Sequence, residues 1–326
     1  MVSGSVGVSA LAVSVEGEDQ VLPFTVEALD VRGRLVRIGP MLDAILHRHA
    51  YPSAVARLLG EAVALTALLG AALKIDGQFQ LQARTSGAVE LLVVDYDLPE
   101  NIRAYARYDE ASVASMPEAS PAELLGHGHV GLTIEQGIQN ARYQGIVALS
   151  GQGLEEAAHQ YFTQSEQIPT RVRLAVGQVI EGGKDVWRAG GIVVQFLPSS
   201  PEKRRHADLH PGDAPAGADI MTRHDDDDWL EARALVETVE DHELVDPLLS
   251  SEDLLYRLFH ERGVRVFETQ PLLDRCRCSR ERIVGMIERF SEDEHRHMIA
   301  DDGAITVTCE FCSTHYHVAP AEVGVG

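Results

Sequence analysis

The spacing of apolar side chains between residues 21 and 197 predicts one large mixed α/β body. Residues 38–73 carry apolar side chains at steps of three and four positions, which gives one apolar face and predicts a helix. The members of this face are Ala54, Leu58, Leu59, Ala62, Leu65, Leu69 and Leu73. A second helix is predicted at residues 154–165.

Alternation replaces this pattern at residues 77–96. Phe79, Leu81 and Ala83 are separated by glutamines, which predicts a strand with one buried face. Ser86-Gly87 predicts a turn, and the apolar run after it predicts the partner strand. Further strands are predicted at 102–108, 132–134, 144–149, 171–176 and 191–197.

The pattern stops at residues 198–228, which contain four prolines, few apolar residues and a final run of four aspartates. This composition is typical of a flexible linker. The basic run Lys203-Arg204-Arg205 lies inside it and is interpreted as a solvated loop.

Residues 229–263 predict acidic helices of marginal stability. Pro247 interrupts the segment, and Ser250 with Asp253 predicts a capping pair for a helix over residues 254–261. The apolar positions before the break are Leu230, Ala234, Val239 and Val245. Such helices must dock on a neighbour to stay folded. They are either an ordinary pair of surface helices or a metastable segment that unfolds in use.

All four cysteines lie in the last 51 residues, as Cys276-Arg277-Cys278 and Cys309-Glu310-Phe311-Cys312. Two close thiol pairs with a spacer between them predict one tetrahedral metal site, with zinc as the ion. Each pair is also close enough in sequence to form its own disulfide, which makes a redox switch possible. Arg275, Arg277 and Arg280 are expected to surround the first pair with positive charge.

The cysteines belong to a small module predicted at residues 264–318. An amphipathic helix is predicted at 279–290, and a short strand at 304–308 leads into the second pair. The apolar side of this helix is predicted to contain Ile283, Met286, Ile287 and Phe290. About 55 residues build little core, so a metal is expected to stabilise the module.

Four histidines lie near the cysteines in sequence and are alternative candidates for metal ligands. His315 and His317 follow Cys312 closely, but four cysteines already complete a tetrahedron. His295 and His297 lie on an acidic stretch that is expected to be solvated.

The composition of the chain disfavours two further classes of protein, nucleic-acid-binding proteins and membrane-spanning proteins. A chain of 326 residues has room for two or three domains, and its net charge of −22 disfavours nucleic-acid binding. No run approaches the ~20 apolar residues that a bilayer requires, and the protein is expected to be cytoplasmic. Residues 1–20 and 319–326 are expected to be tails.

No nucleotide or catalytic motif is complete. Residues 126–131 match G-x-G-x-x-G, but a helix precedes them and a strand follows, the reverse of a dinucleotide site. Residues 177–184 lack the spacing of a phosphate loop, and Gly-x-Ser-x-Gly and His-Glu-x-x-His are absent from the sequence.

The order of the cysteines resembles the heat shock protein 33 family, the redox-regulated chaperonins of bacteria. Segments of the larger body resemble the same family independently. They are VRGRLVR at 31–37, LGHG at 125–128, LTI at 132–134, RYQGIV at 142–147, YFTQSEQIPT at 161–170 and AGG at 189–191. Residues 1–20 and 199–228 are longer than the usual family pattern.

The resemblance implies an α+β protein with a chaperone body at 21–197, a metastable helical linker at 229–263 and a zinc-binding redox module at 264–318. It implies a stress-response holdase that works without ATP and without enzymatic turnover. Reduced Cys276, Cys278, Cys309 and Cys312 would hold one zinc ion. Oxidation would form the disulfides Cys276–Cys278 and Cys309–Cys312, release the zinc and expose a surface for unfolded proteins. The active form would be a homodimer, with no nucleotide, nucleic acid or membrane as partner.

Two other functions remain open from the sequence. A thiol–disulfide oxidoreductase would use Cys276 and Cys278 catalytically and would show multiple turnovers. A zinc-ribbon module would bind a protein or nucleic acid in its reduced, zinc-loaded form.

Overall fold

The computed structural model describes residues 17–136, 141–197, 227–300 and 303–323. Residues 1–16, most of the predicted linker and the run at 203–205 lie outside this part. The described strands are β1 (Gln20–Val26), β2 (Val31–Ile38), β3 (Gly77–Thr85), β4 (Val89–Asp97), β5 (Asn101–Tyr108), β6 (His127–Gln136), β7 (Ala141–Ser150), β8 (Thr170–Glu181), β9 (Lys184–Phe196), β10 (Arg265–Val266), β11 (Gln270–Pro271), β12 (Leu273–Asp274), β13 (Ile305–Thr308) and β14 (His315–Val318).

The described helices have these bounds: α1 (Pro40–His47), α2 (Ser53–Gly70), α3 (Glu110–Ser115), α4 (Pro121–Leu125), α5 (Leu154–Tyr161), α6 (Asp227–Glu237), α7 (Asp241–Val245), α8 (Ser251–Phe259), α9 (Arg280–Ile287) and α10 (Glu292–Met298). The long helix predicted over residues 38–73 is therefore two helices, separated before Pro52. A π-helix, Phe162–Glu166, continues α5. The α+β class predicted from the sequence is confirmed.

The chain forms two compact units, and each draws on both ends of the sequence. The first contains the chain up to Asp43 together with Ala158–Leu272, and the second contains Ala44–Ala157 together with the chain from Leu273 onward. The boundary at Leu272 separates β11, which pairs with β1, from β12, which pairs with β5.

The first unit contains an antiparallel sheet in the order β10-β1-β2-β9-β8, with β11 also paired to β1. The β8–β9 connection turns at Gly182 and Gly183, whose positive φ angles of 56° and 80° suit glycine. The segment at 177–184 is thus part of a hairpin, in agreement with its lack of phosphate-loop spacing.

Helices α6, α7 and α8 of the predicted linker bury their apolar side chains in the core of the first unit. The buried linker residues are Trp229, Ala232, Val236, Val239, Leu244, Leu254, Leu255 and Phe259. They pack with strand residues that include Phe24, Ile192 and Val194. The helices dock on a neighbour, as their composition requires, although two of the apolar positions named from the sequence, Leu230 and Ala234, are exposed.

Helix α7 is seated closely on the sheet by backbone contacts. Arg37 of β2 donates hydrogen bonds to the carbonyl oxygens of Glu243 (2.8 Å) and Asp246 (2.7 Å), which satisfies the C-terminal end of the helix. A Cβ atom at Gly190 of β9 would collide with the carbonyl oxygen of Leu244. Only glycine therefore allows this approach.

The second unit contains a six-stranded sheet in the order β12-β5-β4-β3-β6-β7. Phe79, Leu81 and Ala83 are buried as the alternation predicted, and α2 packs against β3, β4 and β5. Among the described residues, α2 is the one helix long and apolar enough to cross a membrane, and 78% of it is buried inside the protein. The G-x-G-x-x-G segment is the turn from α4 into β6, as its context predicted.

The cysteine-bearing end of the second unit has its own small core. Only Ile287, Ile305, Val318 and Val323 are buried in that cluster within the described residues. Val323 lies in a 3-10 turn, Pro320–Val323, that sequence reasoning placed in a tail. Met286 and Phe290, predicted on the apolar side of α9, are 44% and 41% exposed.

Candidate metal centre

The structure brings the four cysteines together. Their Sγ atoms all lie within 4.8 Å of one another. Cys276 and Cys278 follow β12, while Cys309 and Cys312 lie in the turn between β13 and β14. Two of these Sγ–Sγ distances join one pair to the other: 3.7 Å from Cys276 to Cys309 and 3.3 Å from Cys278 to Cys312.

This arrangement fits a tetrahedral metal ion. A Zn–S bond of about 2.3 Å separates neighbouring sulfur ligands by about 3.8 Å in a tetrahedron. The Sγ–Sγ distances lie around that value, and all four cysteines are free of disulfide bonds. Thiolates are ligands that zinc prefers, so the donor set and the spacing agree.

The turn that carries the second pair is shaped by its backbone. The Ser313 amide donates to the Cys309 carbonyl oxygen at 2.8 Å, and the Cys309 amide donates to the Thr314 carbonyl oxygen at 3.0 Å. Ser313 adopts a positive φ of 56°, which tightens the turn. This turn brings the sulfurs of Cys309 and Cys312, which are separated by two residues in Cys-x-x-Cys, into the same cluster. We call residues 309–313 the knuckle.

The four thiols have unequal electrostatic environments. Burial raises the pKa of Cys278 to about 12 and also raises the pKa of Cys309. Burial acts in the same direction on Cys312, but hydrogen bonds with Thr314 and with the neighbouring thiols outweigh it and lower its pKa to about 7. In the metal-free cluster, Cys312 therefore loses its proton more readily than Cys278.

The cation beside the first pair comes from the sheet and was missed by sequence reasoning. Arg103 of β5 places its guanidinium nitrogen 3.7 Å from the Cys276 Sγ atom. Arg277, expected to surround the thiols, instead binds Asp97 at 3.0 Å and Asp95 at 3.4 Å, and Arg280 binds Glu322. The sequence indicated Arg103 only through its place among the polar positions that alternate with apolar ones in the strand predicted at 102–108.

Asp95 connects this arginine to the sheet. Its carboxylate is 1% exposed and accepts hydrogen bonds from Arg103 at 2.5 and 2.9 Å and from Gln80 at 2.7 Å. A buried carboxylate needs such partners, since an unpaired charge costs several kcal/mol. The guanidinium of Arg103 is consequently fixed by the sheet itself.

The histidines lie outside the cluster of sulfurs. His315 and His317 of β14 hydrogen-bond the hydroxyl groups of Thr308 and Thr306 across the hairpin. His297 is exposed, as expected. His295 is not solvated as predicted: it is 3% exposed and its Nε2 atom lies 2.7 Å from the Ile287 carbonyl oxygen.

Comparison with known proteins extends this picture to the whole chain. The family model described as Hsp33 protein matches residues 19–319. A 33 kDa chaperonin of Caulobacter vibrioides is 44% identical over 93% of this chain and 95% of its own length. A 33 kDa chaperonin of Pseudomonas paraeruginosa is 37% identical over 91% of each chain.

The fold has a solved counterpart. A crystal structure of a 33 kDa chaperonin from Thermotoga maritima covers 94% of this chain with a TM-score of 0.73, and 97% of that chain is covered. Its sequence identity of 20% makes it a comparison of folds alone. The family match and the relatives above 30% identity together establish that this chain belongs to the Hsp33 family.

Proposed function

We propose that this protein is a redox-regulated, ATP-independent holdase that binds unfolded proteins after oxidation. The single observation that carries the proposal is the cluster of four reduced thiols in a module with only four buried core residues among those described. Membership of the Hsp33 family and the name chaperonin of its relatives support a chaperone function. No enzymatic turnover is part of the proposal.

In the reduced state, Cys276, Cys278, Cys309 and Cys312 hold one zinc ion as thiolates. The ion crosslinks two distant parts of the module and so supplies folding energy that its small core lacks. The described core of this module contains Ile287, Ile305, Val318 and Val323, which are too few to stabilise it alone. The module is therefore expected to depend on its metal.

Oxidation removes the four thiolate ligands by converting them into two disulfides. One thiolate attacks hydrogen peroxide to give a sulfenic acid and hydroxide, and its partner thiolate displaces a second hydroxide to form the disulfide. Each disulfide takes two electrons from two thiolates and consumes one peroxide. Two disulfides leave no sulfur ligand for the ion.

We propose the pairing Cys276–Cys278 and Cys309–Cys312. In the folded module all four Sγ atoms lie within 4.8 Å of one another, so distance alone does not select one pairing. Peptide mapping of the oxidised protein by mass spectrometry decides between the pairings.

Release of the linker follows in this proposal. Helices α6, α7 and α8, together with Val239 between the first two, pack eight buried side chains into the core of the first unit. When the helices leave, the strand side of that core and the apolar sides of the helices are both exposed, and each buried aliphatic or aromatic side chain contributes about 1.5–3 kcal/mol of hydrophobic binding. Such surfaces bind unfolded polypeptides, and we propose that the active form is a cytoplasmic homodimer.

The test follows zinc release and client aggregation together. Purified reduced protein is treated with peroxide or hypochlorite while a zinc-sensitive dye and light scattering of a heat-denatured client are recorded. Zinc loss that coincides with suppressed aggregation, and is reversed by dithiol reductant plus zinc, is the expected result. Suppression without oxidation, or zinc loss without suppression, would refute the proposal, and repeated turnover of a dithiol substrate would favour an oxidoreductase.

A further inference from the structure

The knuckle inserts an aromatic ring into a ready-made seat on the sheet of the second unit. The Phe311 ring lies under the Arg103 guanidinium, whose central carbon is 3.9 Å from the ring centroid. The Tyr105 ring lies 6.3 Å from it at an interplanar angle of 56°. His49 approaches the same loop through its two ring nitrogens, 3.4 Å from the Phe311 carbonyl oxygen and 3.3 Å from the Ser313 hydroxyl.

Further aromatic rings extend this seat. The rings of His49 and Tyr51 are 5.1 Å apart, and those of Tyr51 and Tyr108 are 6.1 Å apart. The Tyr51 hydroxyl accepts a hydrogen bond from the Ala106 amide at 3.0 Å, which fixes its ring against β5. We call His49, Tyr51, Arg103, Tyr105 and Tyr108 the aromatic seat.

The seat does not depend on the knuckle for its shape. Arg103 is held by the buried carboxylate of Asp95, which Gln80 of β3 also binds. Tyr105 and Tyr108 belong to β5, which pairs with β4 along its length. The seat therefore keeps its cation and its rings when Phe311 withdraws.

Departure of the thiol segment also changes the charge at the rim of the seat. Arg48 is ion-paired with Asp274 of β12, which stands two residues before Cys276. Burial raises the pKa of Tyr105, and the nearby negative charge of Glu310, the neighbour of Phe311, acts in the same direction. Loss of both carboxylates removes the partner of Arg48 and a negative charge beside Tyr105, while departure of Arg277 removes a cation from Asp95 and Asp97.

We infer that the aromatic seat is a binding subsite for aromatic side chains of unfolded client proteins, which Phe311 occupies until the thiol module unfolds. The inference rests on the proposed function, because unfolding of the module is what empties the seat. A guanidinium over a ring favours phenylalanine, tyrosine and tryptophan over aliphatic side chains of similar size, since the attraction arises from the π electrons. Phe311 thus acts as an internal substitute for a client side chain.

The test compares two labelled, unstructured peptides that differ at one position, phenylalanine against cyclohexylalanine. The second ring has similar size and apolarity but no π electrons. For the oxidised, zinc-free full-length protein, fluorescence anisotropy should show the phenylalanine peptide binding about 3- to 10-fold more tightly. Tyr105→Leu should weaken this preference, whereas Tyr143→Leu, an exposed tyrosine of β7 outside the seat, should leave it unchanged.

A second variant tests the seat without oxidation. Phe311→Ala removes the internal ring but none of the four thiols, so the reduced protein should keep its zinc and bind the phenylalanine peptide when the reduced wild type does not. Equal affinity for both peptides in the oxidised wild type and no effect of Tyr105→Leu would overturn the seat, while suppression of client aggregation would still support the holdase. If oxidised wild type suppresses no aggregation, the proposed function fails, and reduced Phe311→Ala alone decides the seat: phenylalanine preference supports it and its absence refutes it.

Discussion

Asp19 accepts backbone hydrogen bonds at the start of α1 although it lies in a poor environment for charge. Its carboxylate accepts from the amides of Gly39 and Met41 at 2.9 and 3.1 Å. Burial nevertheless dominates and raises its pKa to about 6. The folded protein thus binds a proton at Asp19 more tightly than the unfolded chain does.

We expect Asp19→Asn to change how stability depends on pH. Because the folded pKa exceeds the unfolded value, the wild type loses stability as pH rises between about 4 and 6, by up to about 3 kcal/mol for a shift of about two pKa units. The neutral asparagine lacks this loss. Urea unfolding of both proteins at pH 4.5 and 7.5 measures it: the free energy of the variant minus that of the wild type should be larger at pH 7.5. An unchanged difference would contradict the effect of burial.

Substitution of one cysteine should produce partial activity without an oxidant. Cys309→Ser or Cys312→Ser removes one of four thiolates and weakens zinc binding, so the reduced module should unfold in part. Zinc content and client light scattering under reducing conditions measure the two effects. His315→Gln is the control, because His315 lies on β14 but outside the sulfur cluster. Tight zinc binding with full inactivity of the serine variants would contradict the prediction.

Some residues of the metal centre and its surroundings could be identified from the sequence, and others could not. The four cysteines were identifiable as a set because cysteine occurs nowhere else in the chain. Arg103 and the buried His295 were not, because Arg103 contacts Cys276 across 173 residues and His295 folds back onto the preceding helix at Ile287. The charged neighbours of His295 in the sequence predicted a solvated side chain, but in the fold this side chain packs against α9 and is buried.

At the scale of elements, the seat of α7 offers a way to release the linker without touching the thiols. Gly190→Ala should push α7 away from β9, because the new Cβ would collide with the Leu244 carbonyl oxygen. Overpacking of this kind costs about 1–3 kcal/mol. The reduced, zinc-loaded variant should therefore suppress client aggregation in part, with faster hydrogen exchange in residues 241–245.

The matched control for this experiment is Gly177→Ala on the neighbouring strand. A Cβ atom there would lie 3.7 Å from a methyl carbon of Val245, an ordinary contact with the same helix. Its aggregation assay and exchange rates should resemble those of the wild type. Equal behaviour of the two variants, with zinc retained in both, would show that α7 docking does not restrain activity.

For these helices, the start of a helix was easier to predict from the sequence than the side of the helix that is buried. The Ser250 hydroxyl accepts from the Asp253 amide at 3.0 Å, as the local capping signal predicted. In α6 the apolar residues Leu230 and Ala234 are exposed, whereas Trp229, Ala232 and Val236 are buried. A buried tryptophan contributes a large apolar surface, which favours the docking of this side of a short acidic helix.

At the scale of the whole molecule, metal removal should unfold the thiol module and release the linker helices while α2 keeps its protection. Chelation of zinc from the reduced protein should unfold the module, because its described core has four buried residues, while α2 and its sheet keep their packing. Hydrogen exchange read by mass spectrometry should show loss of protection in residues 275–300 and 303–323 and little change in 53–70. Uniform loss of protection in both regions, or no loss in either, would contradict this expectation.

The topology explains which whole-molecule features the sequence could not reveal. Alternation identified β3 and the apolar run after the Ser86-Gly87 turn identified β4, because the two strands of a hairpin are adjacent in sequence. The pairing of β1 with β10 and β11, and of β12 with β5, joins residues far apart in sequence, and two-residue strands leave no periodic signal. The composition of residues 198–228 predicted a boundary there, but pattern alone gave no sign that the following helices complete the core of the first unit.

Strand β1 has a consequence for synthesis on the ribosome. One edge of this strand pairs with β2 soon after it is made, but the other edge receives β10 and β11, which emerge only when translation has passed Pro271. The linker helices that fill the core of the first unit also emerge late, and the cysteines come last. Since domains fold as their sequence is released, a growing chain must hold an open sheet edge and an uncovered apolar face for most of its translation. A nascent chain halted before Cys276 would complete that edge and that core yet carry no metal ligand.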